Sequence, residues 1–259
     1  MPGTNAVLEG KGAKAGLIVT AGHKDILAVR RSQIPGGLGA WINFMPLDPI
    51  VPLECTVQCK GTMSYDGQIV TSIDEYSLRK DLTRLKERSL EAITISLLNS
   101  YQNNTHEKQV AKIAMEIFGP DVEIICSSDV LSEMGEYERT VTASANAIVK
   151  PVVKKYLANL QTLLTNDSET IRILKSDGGL TTLDLAGDLP VSILMSGPAG
   201  GVRGVADIVA KKTKYRNLIT LDMGGTSTDC ALIYDGTPAI RRETVVDNLT
   251  VRAPSVDVK

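Results

Sequence analysis

Residues 218–236 have the sequence LITLDMGGTSTDCALIYDG, in which two apolar segments flank a Gly-Gly pair and a run of hydroxyl residues. The apolar segments predict two strands, Leu218–Leu221 and Asp229–Tyr234, joined by a tight connection. A third strand, Ala239–Val246, is predicted after a turn at Asp235-Gly236. Glycines let backbone N–H groups approach an oxyanion without an intervening Cβ, and neutral hydroxyls add further donors. The sequence therefore predicts a phosphate-binding hairpin. Its candidate loop residues are Gly224, Gly225, Thr226, Ser227 and Thr228.

Two acidic residues, Asp222 and Asp229, flank this loop. A carboxylate about 4 Å from a phosphate is repelled by about 4 kcal/mol at an effective dielectric constant near 20. This cost favours a Mg²⁺ ion held by Asp222, or an acid that positions a water molecule. We therefore take Asp222 and Asp229 as candidate catalytic residues. The alternative is a plain β-hairpin whose hydroxyl groups face solvent. The loop lacks the G-x-x-x-x-G-K-[ST] pattern of a P-loop.

Two more Gly-rich segments precede the hairpin, SDGG at Ser176–Gly179 and SGPAGG at Ser196–Gly201. Each follows an apolar segment, Ile171–Leu174 or Val191–Met195, that predicts a strand. The second Gly-rich turn also opens a predicted helix through Val209, and a helix N-terminus attracts anions. The alternative is that these glycines serve only close packing. The candidate ligand-binding residues here are Ser176, Gly178, Gly179, Ser196, Gly197, Gly200 and Gly201.

The sequence EMGEYERTVTASANA, residues 133–147, begins a long predicted helix. This helix runs from Glu136 to about Leu164 and is expected to break or kink near Pro151. At its start, Glu136, Glu138 and Arg139 either place an acid and a cation in a cleft or form a solvated first turn. Acids in a first turn are also favoured by the helix dipole, so both interpretations stay open.

The first half of the chain alternates predicted strands and helices, the pattern of a layered α/β domain. The strands are Ala15–Thr20, Ala92–Leu98 and Val122–Cys126, with helices at Tyr76–Arg88 and His106–Gly119 and a hairpin turn at Asp66-Gly67. His106 and Glu107 are interpreted as a helix-capping region. The Gly- and Pro-rich segment Gln33–Leu53 carries an apolar face that either packs on its own domain or docks on another chain. That face consists of Trp41, Ile42, Phe44 and Met45.

The composition is that of an ordinary globular protein, with 43% hydrophobic and 22% charged residues among 259. A net charge of -2 gives no electrostatic reason to expect nucleic acid or an anionic membrane as a partner. The sequence has no apolar run long enough to cross a bilayer and no secretion-signal pattern at its start, so we expect a cytosolic protein. The four cysteines lack zinc-site spacing and are expected to be reduced, apolar thiols.

Taken together, these motifs resemble the hydantoinase/oxoprolinase family. SGPAGGV is followed by LDMGGTSTD, and EYERTVTASANA, NNTHE and TNAVLEGKGAKAGLIVTAGHKDIL lie upstream. The resemblance runs along essentially the whole chain and implies an actin-like ATPase fold, which is α/β and ribonuclease H-like with mixed sheets flanked by helices. It also implies a division into residues 1–130, part of the family's N-terminal region, and residues 131–259, the start of its hydantoinase A-type ATPase domain.

The resemblance implies ATP and Mg²⁺ as cofactors and a small cyclic amide, of the hydantoin or 5-oxoproline type, as substrate. Phosphorylation of the amide oxygen would make the carbon electrophilic enough for water to attack. Residues 222–229 match the family's second phosphate loop, 196–201 the Gly-rich turn of the same lobe, and 176–179 its neighbour. The family also has an earlier phosphate loop of D-x-GGT-x-TD type and a later Gly-rich segment. Because this chain has neither, we expect a fragment with little activity alone.

Three alternatives remain at this point. Within the family, the reaction could be ATP-dependent carboxylation of a ketone rather than hydrolysis of an amide. Outside catalysis, the chain could be an actin-like module that binds a partner through Gln33–Leu53. For assembly, the resemblance implies a homo-oligomer or a hydantoinase B-type partner subunit or domain.

Overall fold

The computed structural model describes residues 12–31, 48–164, 171–224, 228–246 and 249–259. The chain forms two compact units, an N-terminal unit of Ala13–Pro151 and a C-terminal unit that contains Val152–Lys259. The apolar face of Trp41, Ile42, Phe44 and Met45 lies outside the described residues. The proposed division at residues 130 and 131 concerns family regions and stays a prediction.

The N-terminal unit is built on a parallel sheet of strands β1 (Ala15–Thr20), β2 (Thr56–Cys59), β5 (Ala92–Ser96) and β6 (Glu123–Cys126). The strand order is β2-β1-β5-β6. Strands β1 and β5 are buried along their whole lengths, as expected for central strands of a parallel sheet. A separate hairpin pairs β3 (Thr62–Met63) with β4 (Ile69–Thr71), and Gly67 at its turn has φ +81°.

Helices of the N-terminal unit follow the predicted apolar spacing. They are α1 (Ile26–Val29), α2 (Glu75–Lys86), α3 (Thr105–Phe118) and α4 (Ser127–Val130), with a 3₁₀ turn at Leu53–Cys55. Helix α5 (Glu136–Leu163) begins in this unit, and its residues from Val152 onward belong to the C-terminal unit. Helix α2 begins where the Asp74 carboxylate accepts a hydrogen bond from the Ser77 N–H, and it buries Leu78, Leu82 and Leu85. Helix α3 ends at Gly119, whose φ of +83° favours glycine.

Helix α5 continues past Pro151, so the expected break is not present. A proline inside a helix costs about 3 kcal/mol because it removes a hydrogen bond and crowds the preceding turn. Val149, Val153 and Leu157 are spaced four residues apart on either side of the proline and are all buried. Burial of this apolar stripe offsets the local cost.

In the C-terminal unit, α7 (Ser196–Val205) packs on an antiparallel sheet of β9 (Leu218–Met223), β10 (Thr228–Tyr234) and β11 (Thr237–Pro238). Ala199, Val202 and Ala206 of the helical segment form one buried cluster with Ala231, Ile233 and Val256. Helix α7 continues as a π-helical turn, Ala206–Ala210. The other elements are β7 (Ile173–Leu174), β8 (Leu180–Thr181), α6 (Leu183–Asp188), a 3₁₀ turn (Pro190–Ile193), β12 (Ile240–Arg241), β13 (Thr244–Val246), β14 (Leu249–Val251) and β15 (Ser255–Val256).

Two predicted strands of this unit are wrong. The apolar segment Val191–Met195 is not a strand: its first part lies in the 3₁₀ turn, where the Ser192 N–H donates to the Leu189 carbonyl. Short apolar runs do not distinguish strands from buried helical turns. The single strand expected over 239–246 is two strands, because β12 pairs with β15 whereas β13 pairs with β14.

Among the described residues, no helix combines the length and apolar character needed to span a membrane.

Candidate functional site

The predicted hairpin is present, and it places its two acids side by side. Strands β9 and β10 are antiparallel, with Asp222 directly opposite Asp229, Thr220 opposite Ala231 and Leu218 opposite Ile233. Residues opposite one another share a sheet face. Because Ala231 and Ile233 are packed against α7, the two aspartates lie on the face of the hairpin that carries this helix.

A cavity of about 400 Å³ opens between this face and α7. Asp222 and Asp229 line it from the sheet, and Pro198 and Gly201 of the SGPAGG segment line it from the helix. The other lining residues are Val202, Val205, Ile219, Thr220, Leu221 and Val258. The structure therefore brings together the acids of one predicted motif and the helical start of another, twenty or more positions earlier in the sequence.

The SGPAGG segment forms the first turns of α7 rather than a loop before it, which corrects the predicted Gly-rich turn. Its two adjacent glycines do different things. A Cβ on Gly200 would lie 2.8 Å from the Leu174 Cδ2 atom, whereas a Cβ on Gly201 would meet nothing within 4 Å. Gly200 thus allows Leu174 to pack closely against the helix. Gly201 has no side chain to fill the cavity that it borders. Ser196 is buried, and Gly197 is exposed in the same turn.

The remaining loop predictions are only partly covered by the structure. Gly225, Thr226 and Ser227 lie outside the described residues, while Gly224 and Thr228 are exposed on either side of them. Their role in binding phosphate stays a prediction. Of the described residues next to this segment, Asp222 near the end of β9 and Asp229 near the start of β10 line the cavity.

The Ser176–Gly179 segment is a hairpin turn between β7 and β8 that contacts the start of α7. Ser176 is fully buried, and its Oγ atom accepts a 3.0 Å hydrogen bond from the Met195 N–H, one residue before the helix. Gly178 has φ +83° and Gly179 donates its N–H to Asp177. Ser176, Gly178 and Gly179 are absent from the cavity lining described above, so their predicted contact with a ligand stays a prediction.

Sequence reasoning missed a buried polar network in the N-terminal unit. Arg139 is fully buried and donates to the Glu136 carboxylate (2.8 Å), the Leu97 carbonyl and the Ser127 hydroxyl. The interpretation of this segment as a solvated first turn is therefore wrong for Arg139. Burial raises the pKa of Glu136, but hydrogen bonds from Arg139 and the Asn99 N–H outweigh it, and the net pKa is lowered.

Glu107 belongs to the same network and is also fully buried. Its carboxylate accepts hydrogen bonds from the Leu97 N–H, the Ser127 hydroxyl, and both the N–H and hydroxyl of Ser128. The prediction that Glu107 is a capping residue missed this role. A signal was available in the sequence, since helical spacing places Glu107 on the same face of α3 as Val110 and Ala114, and that face is buried.

All four thiols are free in the described part of the chain, and Cys55, Cys59 and Cys126 are buried. Burial, with help from nearby carboxylates, raises the pKa values of Cys59 and Cys126 to about 12. Such thiols are protonated and unreactive at neutral pH. No group of three or more metal-ligating side chains occurs in the part of the chain described here.

The chain is α/β and has part of the actin-like fold. The chain belongs to the hydantoinase/oxoprolinase family: the family profile matches residues 139–259, and the profile of the family's N-terminal region matches residues 2–118. The chain is 28% identical to the alpha subunit of caprolactamase from Pseudomonas jessenii and 30% identical to 5-oxoprolinase from Saccharomyces cerevisiae, with 98% of the chain aligned in both cases.

Solved structures agree with this assignment. The nucleotide-free structure of acetone carboxylase superposes on 100% of the chain with a TM-score of 0.89 and 26% identity. The chain spans 38% of that protein, 37% of the caprolactamase subunit and 21% of the yeast 5-oxoprolinase.

Proposed function

We propose that this chain takes part in the ATP-dependent ring opening of a small cyclic amide and that the β9–β10 hairpin holds the nucleotide phosphates. The observation that supports this most is the shared cavity of Asp222, Asp229 and the start of α7. Relatives named 5-oxoprolinase and caprolactamase support the amide as the substrate class.

The residues around the cavity fit a magnesium-bound polyphosphate. Two carboxylates opposite each other supply the oxygen ligands that Mg²⁺ prefers, and Asp222 is the proposed ligand. Bound Mg²⁺ would offset the repulsion of about 4 kcal/mol between a carboxylate and a phosphate about 4 Å away. Of the α7 residues that line the cavity, Pro198 lies in the first turn of the helix, where the positive end of the helix dipole favours negative charge. Gly224, Gly225, Thr226, Ser227 and Thr228 are the proposed phosphate contacts.

The proposed reaction is a phosphoryl transfer followed by hydrolysis. The carbonyl oxygen of the amide attacks the γ-phosphorus of ATP, and ADP leaves. Water then adds to the activated carbon, and the C–N bond of the ring breaks, which leaves an acyl phosphate and a free amine. A second water attacks the carbonyl carbon of this acyl phosphate, and phosphate departs with the original carbonyl oxygen. In these reaction steps we propose that Asp229 orients the attacking water, because a carboxylate within the cavity can accept a proton from that water.

Assembly with a second polypeptide is part of the proposal. The caprolactamase relative is an alpha subunit, and the chain spans little more than a third of its length. We therefore propose a hydantoinase B-type partner subunit or domain, or a homo-oligomer, and we expect the 259 residues alone to turn over slowly.

An oxygen-labelling experiment tests the reaction. Hydantoin or 5-oxoproline carrying ¹⁸O at the reacting carbonyl is incubated with the protein and MgATP, and the released phosphate is examined by mass spectrometry. We expect ¹⁸O in the phosphate. A parallel incubation with a ketone and bicarbonate should release no more phosphate than MgATP alone. Unlabelled phosphate, or faster release with the ketone, would overturn the proposed reaction.

A further inference from the structure

A second cavity, of about 410 Å³, lies in the N-terminal unit; we name it the serine recess after Ser100, Ser128 and Ser132 in its lining. Ser100 follows β5, and Ser128 and Ser132 follow β6. The recess therefore lies beyond the carboxyl ends of two parallel strands, the edge at which open α/β sheets bind their ligands. At about 30 Å³ per water molecule, it has room for a small ring together with bridging water.

Hydrogen-bond direction sets the chemistry of this recess. A serine hydroxyl has one hydrogen to donate and two lone pairs that accept. The Ser128 hydroxyl donates to Glu107 (2.7 Å), and the Ser132 hydroxyl donates to the Tyr101 carbonyl (3.3 Å). Both hydroxyl hydrogens thus bond to acceptors of the protein itself. The oxygen of each serine can therefore accept a hydrogen bond from a ligand.

The same reasoning applies to Ser100, whose hydroxyl lies 3.4 Å from that of Ser127. Ser127 gives its one hydrogen to Glu107 (2.6 Å) and accepts from Arg139 (3.1 Å). It can only accept from Ser100, so Ser100 is the donor. The buried Glu107 and Arg139 network therefore fixes Ser100 and Ser128 as acceptors toward the recess.

The charge of the recess also favours a ligand that donates hydrogen bonds and carries no negative charge. Asp66 lines it, and hydrogen bonds from Ser64 and Gln68 lower the pKa of its carboxyl, which keeps it ionised at neutral pH. Among the recess residues in the described part of the chain, none is Lys, Arg or His. Amide groups of Gln102 and Asn104 complete the lining with donors as well as acceptors.

We propose that the serine recess binds a neutral cyclic amide through the ring N–H groups and discriminates against an amide that carries a carboxylate. Serine oxygens and Asp66 accept from the ring N–H groups, and the Gln102 and Asn104 amides donate to its carbonyls. The inference rests on the proposed function and narrows its substrate class. Hydantoin, with two ring N–H groups and no charge, suits the recess better than 5-oxoproline, whose carboxylate the Asp66 carboxylate would repel.

The test is a binding titration of the 259-residue chain with hydantoin and with 5-oxoproline, without nucleotide, followed by ligand-observed NMR. We expect hydantoin to bind at least about tenfold more tightly. Ser132→Ala should weaken hydantoin binding by about fivefold, the effect of one lost hydrogen bond, and Ser128→Ala should do the same. Ser72→Ala, at an exposed position outside the recess, is the control and should change nothing.

A charge variant tests the discrimination separately. Asp66→Asn creates an Asn-Gly pair suited to the hairpin turn, so the variant should fold. It should tighten 5-oxoproline binding several-fold, while Asp81→Asn, which lines a different cavity of this unit, should not. Equal affinity for the two probes, no binding of hydantoin at millimolar concentration, or no response to these substitutions would overturn the inference. Because no ATP is present, these outcomes are independent of the ¹⁸O experiment, which can fail or succeed on its own.

Discussion

Asp222 and Asp229 lie directly opposite each other across an antiparallel strand pair, on the face that borders the α7 cavity. Like charges in this position destabilise a sheet. We propose that a divalent cation bound together with a polyphosphate offsets the repulsion between the two carboxylates. We therefore expect that removing one of the two charges stabilises the metal-free chain and weakens the binding of Mg²⁺ and nucleotide.

Replacing Asp222 by Asn should stabilise the chain when no metal is present. Removing one of the two facing charges relieves about 0.5 kcal/mol of repulsion, which corresponds to about 1–2 °C in Tm. Scanning calorimetry in EDTA measures this shift. Added Mg²⁺ should stabilise the wild type but not the variant. Asp184→Asn, which removes an exposed charge in α6 away from the cavity, is the matched control. A lower Tm for Asp222→Asn in EDTA would contradict the prediction.

The two adjacent glycines of α7 should respond differently to alanine. Gly201→Ala adds a methyl group in open space and gains about 1 kcal/mol of helix propensity. Gly200→Ala makes the same gain in helix propensity, but the Leu174 side chain must shift to make room, which offsets part of that gain. Urea unfolding should therefore rank Gly201→Ala as the more stable variant. The extra methyl group should also weaken MgATP binding in Gly201→Ala, because it narrows the cavity. Equal stability of the two variants would contradict the close packing of Leu174 against Gly200 and the open space at Gly201.

Removal of the buried Glu107 carboxylate should destabilise the N-terminal unit strongly. Glu107→Ala leaves the Leu97 N–H and the Ser127 and Ser128 hydroxyls without their acceptor. Hydrogen bonds to a buried charge contribute about 1.5–3 kcal/mol each, so we expect a loss of at least about 3 kcal/mol in urea unfolding. Glu116→Ala, on the same helix, breaks only an exposed pair with Arg79 and should cost less than about 1 kcal/mol. Similar costs for the two variants would refute the importance of the network.

The stabilising effect of Glu136 should depend on pH in a defined direction. Because the folded-state pKa of Glu136 lies below the ordinary value of 4.5, its contribution to stability is fully present above that value. It is lost as the pH falls through the lowered folded-state pKa. The difference in unfolding free energy between the wild type and Glu136→Gln should therefore be constant from pH 7 to about pH 5 and shrink at lower pH. A difference that grows on acidification would show that the sign is wrong.

The hairpin could be predicted from the sequence because its signals are local. Alternating apolar residues from Leu218 onward, the Gly-Gly pair and the Asp235-Gly236 turn each report on neighbouring positions. The structure extends both strands, to Met223 and from Thr228, and Asp235 and Gly236 between β10 and β11 have positive φ. Strand Ala15–Thr20 could be predicted for the same reason.

Contacts between distant positions could not be predicted in this way. Nothing near Arg139 in the sequence indicates that its partners are Leu97 and Ser127, which reach it through the sheet. The SGPAGG segment misled for a different reason: its glycines suggest a loop, yet the segment begins a helix whose Ala199 and Val202 are packed in a buried cluster. Local propensity is a weak guide where packing decides.

The most direct measurement of the central claim is a calorimetric titration of the chain with MgATP, comparing the wild type with Asp222→Asn and Asp184→Asn. The hairpin assignment predicts saturable binding by the wild type and by Asp184→Asn, and at least about tenfold weaker binding by Asp222→Asn, equivalent to about 1.4 kcal/mol. Undiminished binding by Asp222→Asn, or no binding by the wild type, would contradict the claim that this hairpin holds the nucleotide phosphates.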